Sequence, residues 1–230
     1  MGISLSVEAV TMQQIADFSR DAVALNSFLK IAGSSPSDRD RLNKLLATFP
    51  TGYNDYPEMM ETLKKIAANT SGLGLDLDKT FRGLHYVLAG DAWSGPEPYC
   101  FLLSGGAVIG LYENETEVRA IDSEQLAAFE LALRSIDRAE FVRRYDAKAL
   151  AEAISYPVFD WNDESLRDFM FDKFEELKEV LLEAKNQGKG YALFCYLIFY
   201  MVQVAFANRT TSARESIFLT LIAQLRQILR

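Results

Sequence analysis

Asp78, Arg82 and His85 stand at spacings of four and three, so on a helix their side chains share one face and can touch. His85 is the only histidine of the chain. An imidazole beside a carboxylate and a guanidinium can act as a general acid or base, and the guanidinium can neutralise an anionic ligand. Arg82 between the two would keep the Asp78 carboxylate ionised and disfavour a charged imidazole. Two readings follow. In one, Asp76, Asp78, Arg82 and His85 make a site that binds a ligand or moves a proton, roofed by Trp93 or Trp161. In the other, the cluster is a polar network that fixes its helix against neighbouring elements.

The helix that must carry this cluster is expected from Lys79 to about Ala89, with Asp78 as its cap and Gly90 as its left-handed terminator. Phe81, Leu84 and Leu88 repeat at three and four and form the stripe that turns to the core. After Gly90, two prolines and a glycine within 91–98 exclude regular structure. Trp93 in that loop is expected to plug the core or to close over a pocket.

The run LDLDKTFRGLHYVLAG, residues 75–90, resembles the signature of the YfbM-like family, small bacterial proteins of unknown function. Leu75, Asp76, Asp78, Lys79, Phe81, Leu84, His85 and Gly90 carry the likeness, with Phe81 where tryptophan is more usual. The resemblance covers roughly residues 70–200. It leaves 1–69 as a helical N-terminal addition and 205–230 as a helical C-terminal extension of one domain. It implies an α+β fold with a small mixed or antiparallel sheet packed with several helices. It implies no activity, so no catalytic residues are carried over.

The totals narrow the function classes. The chain has 230 residues, 49% of them apolar, enough for a sizeable core. Lys and Arg number 24 against 32 Asp and Glu, a net charge of −8. That argues against a nucleic-acid footprint, which needs a basic face. Cys100 and Cys195 lie far apart without a CxxC pair, so free cytosolic thiols are expected. One histidine and two separated cysteines do not make a zinc site, and no metal or cofactor is expected. No basic stretch leads into an apolar one at the N-terminus, so no secretory leader is expected.

Along the chain, alternation at Ile3, Leu5 and Val7 predicts a strand, and Thr11 with Gln14 predicts a capped helix running to about Lys30. Two further helices are expected over 37–68, around a loop at 50–57 that carries Tyr53 and Tyr56. Residues 99–103 and 107–112 read as strands joined at Gly105 and Gly106, and 117–121 as a third. Gly105 and Gly106 lack the spacing and lysine of a phosphate loop. Capping residues Asp122, Asp137 and Asp146 open three helices. Leu166, Met170, Phe174, Leu177, Leu181 and Ala184 predict a long amphipathic helix whose other face carries Glu175, Glu176, Glu179 and Glu183. Residues 190–208 hold no charge; tyrosines dilute the run, so a buried element is expected rather than a membrane span. A last helix, with Ile217, Phe218, Leu221 and Leu225 on one side, completes the pattern.

These features point to a cytoplasmic bacterial binding protein without enzymatic activity. A sharper form is an immunity or antitoxin type that occludes a basic, toxin-like protein partner, since opposite charge speeds such encounters. The alternative is a small-molecule site or enzyme built on Asp78, Arg82 and His85.

Overall fold

The computed structural model describes residues 2–32, 73–112 and 116–198. The helices expected over 37–68, the loop at 50–57, the rest of the uncharged run past 198 and the last helix lie outside the described residues.

Five strands form one antiparallel sheet: β1 (Gly2–Val10), β2 (Gly74–Asp76), β3 (Ala107–Tyr112), β4 (Thr116–Ile121) and β5 (Gly190–Ile198). Their spatial order is β2-β1-β5-β4-β3. The uncharged run therefore begins as the middle strand, paired with β1 on one side and β4 on the other. Tyr191, Ala192 and Leu193 are flanked on both edges and buried in the cores on the two faces, so this part of the run needs no charged side chain and lacks the usual alternation.

β1 is likewise an inner strand, paired along its full length with β5, so residues 2–10 are integral to the sheet and not part of an added N-terminal segment. Leu5, Val7 and Ala9 enter one hydrophobic core with Ile121, Tyr191 and Leu193. Val10 enters the other core with Val118, Ala120 and Ala192. Strand alternation places Ser4, Ser6 and Glu8 on the Val10 side. These three are buried, not solvated.

That second side is covered by α1 (Met12–Phe18) and α2 (Ala22–Ala32). The expected capping box at Thr11 and Gln14 is present in both directions. The single helix expected to run to Lys30 is instead two. Asp21 Oδ1 accepts from the N–H groups of Val23 and Ala24, starting a new helix where the first one ends.

The larger core lies on the other side, under α3 (Phe81–Ala89), α4 (Ser123–Arg134), α5 (Arg138–Arg144), α6 (Ala147–Ala153) and α7 (Glu164–Asn186). The Asp122–Gln125 capping box opens α4 as expected. α7 buries Met170, Phe174, Leu177, Leu181 and Ala184, as its period requires. Glu130 of α4 accepts from Arg134 and from Lys185 of α7, tying the two helices together. Burial alone would raise the Glu130 carboxyl, but those two cations hold it below the usual carboxylate range.

Residues 99–102, read as a strand, are a 3-10 turn. The Cys100 carbonyl accepts from the N–H groups of Leu103, Ser104 and Gly105, which curls the segment instead of extending it. Gly106 then turns the chain with φ +77°, where any Cβ would collide with the Ala120 carbonyl. The hairpin partner of β3 is β4, not the 99–103 run.

Candidate functional site

α3 starts later than expected. The Asp76 carboxylate accepts from Ser4 Oγ at 2.6 Å and from the Asp78 N–H at 2.8 Å. This local turn holds Asp78 at φ 51°, and Asp78–Thr80 forms a 3-10 turn ahead of the helix. Asp78 uses its carboxylate on the Lys79 N–H and does not cap α3. With three residues per turn in place of 3.6, the four-residue spacing no longer stacks Asp78 under Arg82. Asp78, Arg82 and His85 therefore do not meet at one point.

Arg82 and His85 both reach forward to the loop that follows α3. The Arg82 guanidinium carbon lies 3.7 Å from the centre of the Trp93 ring. Its Nη1 donates to the Tyr156 carbonyl at 3.0 Å, joining loop 90–98 to loop 155–160. His85 has no exposed surface. Its Nδ1 lies 2.7 Å from the Asp91 carbonyl, so that nitrogen carries the proton and donates. Nε2 is buried with no hydrogen-bond partner among the described residues. Burial lowers the imidazole pKa, and the Asp91 carbonyl and carboxylate oppose that only in part. The neutral form is the resident one.

The Asp91 carboxylate continues the relay outward. Its Oδ1 accepts from the Trp93 N–H, the Ser94 N–H and Ser94 Oγ. Those backbone donors, Ser94 first, hold it below the usual carboxylate range. The chain of contacts from a sealed histidine to an exposed tryptophan sets the loop's shape.

The two tryptophans part company. Trp161 is 3% exposed, packed edge-on against Phe159 and seated on Gly83 of α3. Its carbonyl accepts from the Tyr145 hydroxyl at 2.9 Å. Trp93 is 54% exposed, so it neither plugs the core nor roofs a buried imidazole. Asp76 and Asp78 sit at the end of β2 and serve the turn there. Of the six candidate residues, the fold brings Arg82, His85 and Trp93 into one group and leaves the others with separate partners.

Three neighbours escaped the sequence reading. Asp91, Tyr156 and Val158 are ordinary loop residues in one dimension. Val158 is 88% exposed and Tyr156 is exposed as well. On α7, Glu175 pairs with Lys178 and Glu176 with Lys173, so much of that acidic face is balanced by its own lysines. Among the described residues no helix is long and apolar enough to cross a membrane.

An antiparallel five-stranded sheet with helices on both faces defines an α+β domain. Residues 1–194 match the family described as domain of unknown function (DUF1877), and the chain belongs to that family. The match reaches the N-terminus, further than the resemblance over 70–200, in keeping with the inner position of β1. The fold is similar to the crystal structure of YfbM from Escherichia coli, a protein of unknown function. Identity is 18% and the TM-score 0.51, over 84% of this chain and 99% of that one. No curated protein matches the chain.

Proposed function

We propose that this protein is a non-enzymatic binding protein of the bacterial cytoplasm whose partner is a basic protein, in the manner of an immunity protein or antitoxin. One observation carries the reading: Trp93 is held at the surface by a stacked arginine instead of being folded inward. An aromatic ring kept exposed at the cost of its own burial fits a contact residue, the residue type most enriched where binding energy concentrates. The net charge of −8 supplies the preference for a basic partner. The other reading, an enzyme or small-molecule site at Asp78, Arg82 and His85, has less support. The three residues do not converge, and the imidazole is sealed from solvent.

The test is affinity capture with the full chain from a bacterial lysate at low and high salt, with partner identification by mass spectrometry. The expected result is a basic protein retained at low salt and released as salt rises. Recovery of no protein, or of one held equally at both salts, overturns the proposal.

A further inference from the structure

We infer that the face built by loops 90–98 and 155–160 is the contact surface for a basic, partly apolar peptide segment of a protein partner. This deepens the binding reading above and rests on it. Trp93, Tyr156 and Val158 are the exposed apolar groups there, and Arg82 joins the two loops that bear them.

Three properties single the face out. Its central ring is braced before any partner arrives, because a guanidinium covers one side of Trp93 and Asp91 Oδ1 accepts from its backbone N–H. A group ordered before binding loses little entropy on binding. Tryptophan, tyrosine and arginine are also the types that dominate interface energies, and Val158 adds a small exposed apolar group on the second loop.

The charge at the face selects the partner. Asp91 and Asp160 are both exposed loop aspartates, and each satisfies its own turn with Oδ1. The Oδ2 atoms of both have no hydrogen-bond partner among the described residues. Arg82 lies under the ring, its charge already engaged with Trp93 and the Tyr156 carbonyl. The outward charge at the edges of the face is therefore negative, and it fits a segment that brings Lys or Arg beside an apolar side chain. The apolar side chain would cover Val158 and the open side of Trp93. The cations would meet the two carboxylates in charge-assisted hydrogen bonds.

The experiment uses the full chain as bait for a phage-displayed random dodecapeptide library. Selected peptides are then synthesised and titrated against the parent, Trp93→Ala, Val158→Asp and the double variant Asp91→Asn/Asp160→Asn. Leu131→Asp, at an exposed position of α4, is the control. The expected result is enrichment of peptides that combine Lys or Arg with Leu or an aromatic residue. Affinity should fall about thirtyfold or more in Trp93→Ala, less in Val158→Asp, and remain unchanged in the control. The double variant should lose affinity about tenfold or less and show a weaker salt dependence. Val158→Asp guards against a folding artefact, because its side chain is almost wholly in solvent. Basic peptides that bind all variants equally would overturn the assignment of this face and leave the basic-partner reading standing. Enrichment of acidic or uncharged peptides, or of none, would overturn both.

Discussion

Arg82 and Gly83 are neighbours on one helix, and each supports a tryptophan of opposite fate. On the Gly83 side Trp161 is enclosed, with Phe159 at its edge and no room for a Cβ beneath it. On the Arg82 side Trp93 is lifted into solvent on a guanidinium. The first arrangement stabilises the fold, since removing a large aromatic surface from water is among the strongest local contributions. The second contributes little to folding because the ring stays wet. The difference teaches that residue type alone does not separate core from contact surface. What lies beneath the ring does.

The largest test of that contrast is Trp161→Ala, expected to cost about 3–5 kcal/mol in chemical denaturation through the cavity it leaves. A loss below about 1 kcal/mol would show that Trp161 is not a core residue. Next comes Gly83→Ala, whose Cβ would lie 2.8 Å from the Trp161 ring and 2.9 Å from the Met170 methyl group. Overpacking of that kind should lower stability by about 1–3 kcal/mol. A neutral result would mean that the Trp161 ring shifts easily.

A third test addresses the histidine between the two regions. Its folded-state pKa lies below the ordinary 6.5, so the unfolded chain binds the proton more readily. Stability from this group is present above pH 6.5 and is lost as pH falls toward the folded value. No other side chain ordinarily titrates there, and this chain has one histidine. Unfolding free energy should therefore decline between about pH 6.5 and 5, above the carboxylate range. His85→Gln should be less stable but show a flatter profile, and an unchanged slope in that variant would refute the assignment. The smallest stability effects belong to Trp93→Ala and Val158→Asp, each expected within about 0.5 kcal/mol of the parent by thermal melting. If Trp93→Ala unfolded the protein, the exposed ring would be a structural support and the contrast with Trp161 would collapse.

Much of the local structure was legible in the chain. The Thr11–Gln14 and Asp122–Gln125 boxes, Gly90 as terminator and the α7 stripe involve partners within a few residues of one another, so spacing alone reveals them. The failures share another cause. The apolar run at 99–103 satisfies either an extended or a curled backbone, and the choice was made by the Cys100 carbonyl gathering three N–H groups. The Asp78–Arg82–His85 cluster presumed an uninterrupted helix, but Asp76, held by Ser4 from a strand 72 residues away, bends the chain just before it.

The sequence by itself determined the caps that open α1 and α4, the glycine that ends α3, which helix faces are apolar, and that the protein is acidic with one histidine. Those properties follow from backbone geometry and neighbours close along the chain. Only the tertiary structure decided that Gly190–Ile198 is the middle strand, that His85 is enclosed, and that Arg82 stacks against a Trp93 left in solvent. Each of those outcomes depends on which distant loop or strand occupies the space beside a residue, and that space exists only once the sheet and its helices have closed around it.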